Sequence, residues 1–453
     1  MSIETILIPI LKLNIWQHQK DSIKEILGYL KNYTDKAYLV KMPTGTGKTG
    51  VFACLSRVAR TDLNYIIITP SAALKRQIIS ELQSSFWDKI GYDKTGLVDQ
   101  QIEDLLPSTA PDVLKKIKGK KYIIVTTIQA LQALSANPKY KNEIDELKRT
   151  TDCLVFDEGH KEPAFTWGET VRAFKKPTIL FSATPYRNDY KIFNIDKEKF
   201  YSLEHNFCQT NNFLRELEIR QLNLPAFGAA TFVNELLKEM NTVAGQLIKQ
   251  GITEPKVIIR CETANDIRKI VGVLLKLKKK VIGIHETFKV SGSYTDEVPL
   301  QTDQEKYQFY VHQYKLIEGI DNSQFCIVAL YSDFSSTRLL IQQVGRVLRN
   351  TQLATGQVAY LFSLNIKKHK EDWRKYLDYD SLMNTKKKLF DITDVLKVNK
   401  DASTLYFSGT FRELIDVNNI DLSKSLLFQK KVNVLLHDNK LTFDQISAQL
   451  LNE

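Results

Sequence analysis

Short apolar, β-branched segments alternate with amphipathic segments over residues 1–205. The apolar segments predict five strands, at Ala37–Lys41, Tyr65–Thr69, Lys121–Thr126, Cys153–Phe156 and Thr178–Ser182. Helical patterns such as Leu74–Phe86 and Ile128–Leu134 lie between them. Because strands that alternate with helices typically form a parallel sheet covered on both faces, this part of the chain predicts an α/β domain.

The pattern weakens across Asn206–Gly228 and then resumes with a helical pattern at Phe232–Gln250. Four further strands are predicted, at Lys256–Arg260, Val281–Ile284, Phe325–Tyr331 and Val358–Phe362. The sequence therefore predicts two tandem α/β domains, residues 1–205 and 206–366. Residues 367–453 are expected to form a small, mainly helical accessory region that includes an amphipathic helix at Thr442–Leu451.

Composition narrows the class of protein. Of 453 residues, 43% are hydrophobic and 25% are charged, which is typical of globular chains. No apolar run approaches the ~18 residues of a membrane span, so no membrane partner is expected. The five cysteines form no Cys-x-x-Cys pair, which argues against a disulfide framework and a structural zinc site and favours a cytoplasmic location. A net charge of +11 is compatible with a polyanionic partner.

The strongest local motif is a glycine-rich loop between a predicted strand and a predicted helix. It runs from Met42 to Thr49 and reads Met-Pro-Thr-Gly-Thr-Gly-Lys-Thr. Such a loop lets backbone N–H groups approach phosphate oxygens, and a helix N-terminus favours negative charge. The predicted phosphate-binding residues are Thr44, Gly45, Thr46, Gly47, Lys48 and Thr49. Lys48 would reach the β- and γ-phosphates, and the Thr49 hydroxyl would ligate Mg²⁺. The alternative is a glycine-rich turn without this role.

An apolar strand that ends in two carboxylates follows, in Cys153–His160. Asp157 would bind Mg²⁺, directly or through water, and Glu158 would orient and activate the attacking water. By itself an Asp-Glu pair at a strand end is often a helix N-cap.

A third motif, Gln342–Arg349, places Arg346 and Arg349 on one face of a predicted helix. Two guanidinium groups aimed at the γ-phosphate would act as arginine fingers. The alternative is a solvated basic helix face, which the many apolar neighbours of these arginines disfavour.

With these three motifs in chain order, the sequence resembles the superfamily-two helicases, in the branch with DEAH-like boxes and type III restriction translocases. The resemblance covers roughly Leu13 to Leu364. It implies two RecA-like domains that face each other, with ATP and Mg²⁺ in the cleft and nucleic acid across the top of both domains.

The resemblance also implies roles for residues in secondary motifs. Gln17 would read adenine, and Gly319 and Asp321 would lie near the nucleotide. Contacts to nucleic acid are expected from Thr69, Pro70, Thr126, Thr127 and Arg260. Coupling between the ATP site and nucleic acid is expected from His160, Ser182, Thr184 and Gln342. The alternative for the threonine motifs is helix capping, and the alternative for Gln17 is an ordinary polar residue at the start of a helix. His285 could touch a phosphate, and its alternative is a structural histidine.

The expected activity is ATP-dependent helicase or translocase action on DNA, with RNA less favoured, within a restriction or anti-phage system. The alternative is an ATP-gated clamp or scaffold that recruits a separate nuclease or effector and unwinds nothing. Unwinding needs a wedge, for which Asn206–Gly228 and the C-terminal region are the unassigned candidates. The basic stretch Lys367–Leu389 carries Trp373, Tyr376 and Tyr379, which would either stack on single-stranded bases or pack on the second domain.

Overall fold

The structure is a computed structural model, and it describes residues 2–157, 170–183, 195–299, 301–317, 322–334 and 337–386. Its strands form two seven-stranded sheets in which every strand pairing is parallel. The expected α/β class with two parallel sheets is confirmed.

The first sheet has the strand order β3-β4-β2-β5-β6-β1-β7. Its strands are β1 (Ala37–Lys41), β2 (Tyr65–Thr69), β3 (Gln101–Leu105), β4 (Tyr122–Thr127), β5 (Cys153–Asp157), β6 (Thr178–Ser182) and β7 (Ile195–Ser202). Every residue of β1, β2, β4, β5 and β6 is buried, which explains why these strands appear in the sequence as continuous apolar runs.

The second sheet has the order β11-β10-β12-β9-β13-β14-β8. Its strands are β8 (Glu216–Gln221), β9 (Lys256–Arg260), β10 (Val281–Ile284), β11 (Tyr294–Thr295), β12 (Phe309–His312), β13 (Phe325–Leu330) and β14 (Val358–Ser363). Because β7 belongs to the first sheet and β8 to the second, the chain crosses between sheets after Ser202 and before Glu216.

Helices cover the faces of both sheets. The α-helices are α1 (Ile3–Leu11), α2 (Gln17–Lys31), α3 (Lys48–Cys54), α4 (Ala72–Ser80), α5 (Phe86–Lys89), α6 (Ala110–Ile117), α7 (Ile128–Ala136), α8 (Lys141–Thr150), α9 (His205–Thr210), α10 (Ala229–Lys249), α11 (Ala264–Lys276), α12 (Thr337–Val347) and α13 (Ile366–Lys386). Two π-helical turns, Leu55–Ala59 and Glu81–Ser85, extend α3 and α4, so the helix predicted at Leu74–Phe86 is divided. Short 3₁₀ turns occupy Lys94–Gly96, Pro107–Thr109, Pro138–Tyr140, Gln301–Lys306 and Lys315–Ile317.

The region predicted as a separate accessory part begins with α13, which belongs to the same compact unit as both sheets. The predicted helix at Thr442–Leu451 lies outside the described residues. No helix in the described ranges has both the length and the apolar character that a membrane crossing requires.

Candidate active site

The glycine-rich loop follows β1 and leads into α3, at the edge of the sheet where the parallel strands end. Gly45 and Gly47 have φ angles of +91° and +84°, a region that L side chains rarely adopt. The Thr46 hydroxyl donates to the Pro43 carbonyl at 2.8 Å, and Lys48 Nζ donates to the Met42 carbonyl at 3.3 Å. The loop thus holds the lysine ammonium beside a helix N-terminus, which is an arrangement suited to binding phosphate.

Two side chains of α2 form hydrogen bonds with backbone carbonyl groups of this loop. His18 Nε2 lies 2.9 Å from the Thr46 carbonyl oxygen, and Gln19 Nε2 donates to the Gly47 carbonyl at 2.9 Å. Burial lowers the pKa of His18, although its bond to Thr46 opposes that shift, so we assign a neutral ring that donates through Nε2. A β-carbon on Gly47 would collide with Gln19 Nε2.

His18 and Gln19, which bond to the loop, are not among the residues predicted for the site, whereas Gln17 is. Gln17 is exposed and donates to Asp21 Oδ1 at 2.8 Å, on the solvent side of α2. His18 and Gln19 are buried, in the helical register of the buried residues Ser22, Ile23 and Ile26. This apolar face of α2 is the sequence signal that identifies which polar residues point inward.

Asp157 and Ser182 end the strands next to the loop. Asp157 is the last residue of β5 and is buried, and Ser182 is the last residue of β6, between β5 and β1. The Ser182 carbonyl accepts from the Met42 N–H at 3.0 Å, which ties the end of β6 to the start of the loop. Glu158, His160 and Thr184 lie outside the described residues.

The residues present fit a Mg²⁺ site of the kind completed by phosphate and water. Thr49 is half-buried in the first turn of α3, and Asp157 ends a strand at the same edge of the sheet. Within the described ranges no group of three or more His, Cys, Asp or Glu side chains forms a closed metal cluster. Mg²⁺ commonly uses one or two protein ligands together with substrate phosphates and water, so such a sparse donor set suits it.

The arginine motif of the second domain lies directly on the glycine-rich loop. A β-carbon on Gly345 would be 2.7 Å from Thr44 Cβ, and one on Gly45 would be 2.7 Å from Arg349 Cγ. Arg346 and Arg349 are 7% and 9% exposed, and Gln342 is also buried. Gln342 and Arg346 lie in α12, but Arg349 follows the end of that helix at Val347 and bridges to Leu214, so the prediction that both arginines share one helix face is wrong. The alternative of a solvated basic face is therefore wrong for this segment.

The segment between the two sheets contacts both the start of α2 and the arginine motif. The Phe213 ring packs on Trp16 and His18, with centroid distances of 5.3 and 4.7 Å. The next residue, Leu214, forms an antiparallel bridge with Arg349. The prediction of a connector or a wedge at Asn206–Gly228 omits a strand, because residues 216–221 form the edge strand β8 of the second sheet.

Arg215, in this connector, ties the end of α12 to the second sheet. Its guanidinium donates to the carbonyl oxygens of Phe325 and Val347, each at 3.1 Å, and of Ser323 at 2.7 Å. Its side chain is buried, and burial lowers its pKa. Arg215 is not among the residues predicted from the sequence, because all of its side-chain acceptors are backbone groups of distant segments.

The threonines predicted to contact nucleic acid direct their hydroxyls into the fold. Thr69 donates to the Ser71 carbonyl at 3.1 Å, and Thr126 donates to the Leu105 carbonyl at 2.9 Å. The Thr127 hydroxyl accepts from the Ala130 N–H at 3.2 Å and caps α7, as the alternative held. Pro70 is buried beside them.

Arg260, the fifth predicted nucleic-acid residue, is fully buried at the end of β9. Its guanidinium contacts Glu262 and lies between the rings of Tyr314 and Phe334, at 5.5 and 5.0 Å from their centroids. Burial, with Arg260 nearby, lowers the pKa of His312 on the adjacent strand to about 3.

His285 has two partners of its own. It bonds to Thr287 Oγ1 and Gln313 Oε1, each at 2.9 Å, which favours the structural alternative. The motif residues Gly319 and Asp321 lie outside the described residues.

The aromatic residues of the basic stretch are packed inside the protein. Tyr376 and Tyr379 are buried, and Trp373 packs its ring 5.2 Å from that of His205 in α9. His205 Nδ1 also lies 3.2 Å from the Tyr376 hydroxyl. Because both tyrosines are buried, base stacking by them is wrong, and the packing alternative agrees with the structure, with α9 among the partners.

Comparisons with known proteins agree with this architecture. Residues 12–187 match the family model described as type III restriction enzyme, res subunit. No curated protein matches the chain. Among solved structures, Dbp5 of S. cerevisiae bound to RNA and ADP BeF3 superimposes with a TM-score of 0.52 at 18% identity, covering 83% of this chain and 90% of that one.

A type ISP restriction-modification enzyme, LlaBIII bound to DNA, superimposes with a TM-score of 0.52 at 15% identity. The match covers 77% of this chain but 27% of that enzyme, so the chain spans about a quarter of its relative. At these identities the likeness concerns the fold, and it confirms the expected pair of RecA-like domains.

Proposed function

Because residues 12–187 match the family model described as type III restriction enzyme, res subunit, in line with the motif order, we propose that the protein is an ATP-driven translocase on DNA. The proposed site of hydrolysis is the cleft where α12 meets the glycine-rich loop. The observation that carries the proposal is the close approach of Gly345 to Thr44 and of Arg349 to Gly45. These contacts bring residues of both sheets to one phosphate-binding loop.

Each residue has a defined task in this proposal. The loop N–H groups and Lys48 bind the phosphates, while Thr49 and Asp157 hold Mg²⁺, which when bound neutralises charge on the phosphate oxygens. Glu158 orients the attacking water and accepts its proton. Arg346 and Arg349 stabilise the charge that develops on the transferred group, and their burial strengthens that interaction.

In this proposal, domain movement depends on the contacts between α12 and the glycine-rich loop. When the arginines release the phosphate side of the cleft, α12 and the second sheet are free to separate from the loop. Alternating closure and opening would step the two domains along one strand, gripped mostly by its phosphates and therefore with strong salt dependence. DNA is the favoured track because of the restriction family match, and a restriction or anti-phage role with a partner nuclease is proposed on the same ground.

One observation favours the alternative of a clamp or scaffold that recruits a separate nuclease and does not unwind. The wedge candidate Asn206–Gly228 contributes α9 and the edge strand β8 in place of a projecting hairpin. Within the described ranges, this leaves the unwinding hypothesis without one of its two wedge candidates. Translocation without strand separation is compatible with the same finding.

The test is the steady-state ATPase rate without polymer and then with single-stranded DNA, duplex DNA, single-stranded RNA and duplex RNA. Glu158→Gln and Lys48→Ala serve as blanks. Strong stimulation by DNA supports a DNA translocase, and a triplex-displacement assay beside a strand-displacement assay then separates translocation from unwinding. A flat response above the blanks supports the clamp, and turnover no higher than the blanks contradicts both readings.

A further inference from the structure

The helix α13 is fixed to the second domain at its N-terminal end. His369 Nδ1 lies 2.6 Å from the Ser363 hydroxyl, and His369 Nε2 lies 3.3 Å from Asp333 Oδ1. Lys368 Nζ also donates to Asp333, at 2.8 Å. These bonds attach the first turn of α13 to the end of β14 and to the segment that follows β13.

The next turn of α13 contacts α12, which carries Arg346 and which we call the arginine helix. Thr337, the first residue of α12, donates its hydroxyl to Asp372 Oδ1 at 3.2 Å. The Asp372 carboxylate is buried, and burial raises its pKa. Since α12 also carries Arg346, α13 has a direct bond to the helix that holds one of the two arginines.

Asp380 lies about 12 Å farther along α13, at ~1.5 Å per residue, and contacts the first domain. Its Oδ1 forms an ion pair with Lys41 Nζ, and its Oδ2 accepts from the His205 N–H at 2.6 Å. Lys41 Nζ also donates to the Leu203 carbonyl at 3.0 Å. The side chains of Lys41 and Asp380 are 1% and 2% exposed, so the pair is closed to water.

Lys41 is the last residue of β1 and directly precedes the glycine-rich loop. The carbonyl of the next residue, Met42, accepts the bond from Lys48 Nζ, and its N–H donates to Ser182. Burial lowers the pKa of Lys41 to about 7, and the nearby Cys208 and Glu204 oppose that shift. A displacement of Asp380 would therefore be transmitted to the base of the loop through one residue of backbone.

We propose that α13 couples the two walls of the ATP site, with Asp380 positioning the glycine-rich loop through Lys41 and Asp372 positioning the arginine helix through Thr337. The inference rests on the proposed function. It identifies α13 as the element that sets the spacing between the glycine-rich loop and α12. Asp372 and Asp380 are positioning residues, because each acts through another side chain. A single rigid helix bonded to both walls transmits a change at one end to the other.

The aromatic residues of α13 pack against α9, close to Asp380. Tyr376 lies one turn before Asp380, and its ring packs 5.4 Å from that of His205. Trp373 packs on both, with its ring 5.1 Å from that of Tyr376. The aromatic side chains thus fasten α13 to α9 and keep Asp380 over Lys41.

The experiment compares Asp380→Asn, Thr337→Val and the double variant. Asp380→Asn keeps an acceptor for the His205 N–H and removes the charge opposite Lys41, whereas Thr337→Val removes the donor to Asp372. Each is expected to lower polymer-stimulated turnover by about tenfold, while affinity for a fluorescent ATP analogue changes by less than about threefold. If both bonds belong to one connection, the double variant loses no more than the worse single variant.

The matched control is Asp378→Asn, an exposed carboxylate on the same helix that pairs with Arg374. It is expected to retain wild-type turnover. Unchanged turnover in both test variants, or losses that multiply in the double variant, would overturn the proposal. So would a loss of turnover that only follows a lowered thermal unfolding temperature.

A second readout separates this proposal from the proposed function. Dyes attached at Lys115→Cys in the first domain and Lys276→Cys in the second report domain separation by energy transfer, and labelling is selective because all five native cysteines are buried. An altered separation in Asp380→Asn supports the coupling even if the wild type proves unable to hydrolyse ATP. An unchanged separation, with and without the ATP analogue, contradicts it.

Discussion

Gly345 of the arginine helix lies directly against Thr44 of the glycine-rich loop, so that a β-carbon on Gly345 would be 2.7 Å from Thr44 Cβ. The contact joins the second sheet to the first at the proposed phosphate site. It requires a residue without a side chain inside α12, although glycine disfavours a helix interior. We infer that close approach of the two domains, and not helix stability, determines the residue at this position.

Gly345→Ala is therefore expected to raise helix propensity and yet lower ATP turnover by about tenfold or more, because the added methyl separates α12 from the loop. The control is Gly272→Ala in α11, where a β-carbon meets nothing within 4 Å. Turnover and thermal unfolding are measured for both variants. Wild-type turnover in Gly345→Ala would show that the two walls need not approach this closely.

Arg349→Ala is expected to reduce turnover by about 10³-fold while leaving ATP binding within a few-fold of the wild type. The reason is that its side chain covers Gly45, where it can stabilise charge on the transferred phosphoryl group, whereas the loop itself supplies ground-state binding. Single-turnover hydrolysis and equilibrium binding of an ATP analogue separate the two effects. The control is Arg374→Ala, an exposed arginine of α13, and normal hydrolysis in Arg349→Ala would remove its assigned role.

The parts of the fold that the sequence predicts correctly are those whose burial is uniform along a strand. The bounds of Ala37–Lys41, Tyr65–Thr69, Thr178–Ser182 and Lys256–Arg260 agree with the structure, because each strand is buried on both faces along its whole length. The edge strands escaped prediction, as Ile195–Ser202 and Glu216–Gln221 show. Each pairs on one side only and carries several charged residues, so its sequence resembles a loop. The buried interior strand Phe309–His312 also escaped prediction, because its three apolar residues form a run too short to identify by itself.

The candidate site also contains some residues that the sequence predicts and some contacts that it does not. The loop and the arginine motif are contiguous in sequence, so their chemistry is visible in the order of residue types. The contacts that hold them, such as Gln19 with Gly47 and Asp380 with Lys41, join segments far apart in the chain. Nothing local distinguishes Asp380 from Asp378, one of which is buried and the other exposed. Only the tertiary packing of α13 makes that distinction.

Substitutions of Gln17 and of Gln19 are expected to affect nucleotide binding in different ways. Gln19→Ala removes a donor to the Gly47 carbonyl, so KM is expected to rise by about tenfold for every nucleoside triphosphate, since the loop loses its support. Gln17→Ala leaves the loop intact and is expected to reduce the preference for ATP over GTP. KM values for ATP, GTP and CTP measured for both variants give the answer. A uniform effect of Gln17→Ala on all three would contradict adenine recognition by that side chain.

The stability of the protein is expected to fall as the pH drops from about 6.5 towards 3, because two histidines are buried in neutral form. Burial is the main cause that lowers the pKa of His205 and of His312 to about 3 from 6.5, with Lys41 and Arg260 adding to the respective shifts. Below pH 6.5 the unfolded chain binds these protons and the native state does not, so the free energy of unfolding decreases as the pH falls.

At pH 4.5 each histidine is expected to reduce the free energy of unfolding by about 2–3 kcal/mol relative to pH 7. Urea denaturation of the wild type, His205→Gln and His312→Asn at both pH values measures this loss. Each variant is expected to lose less stability on acidification than the wild type, even if it is less stable at pH 7. Carboxylate titration is common to all three proteins and cancels in the comparison. Equal losses in all three would mean that neither ring is held neutral by its surroundings.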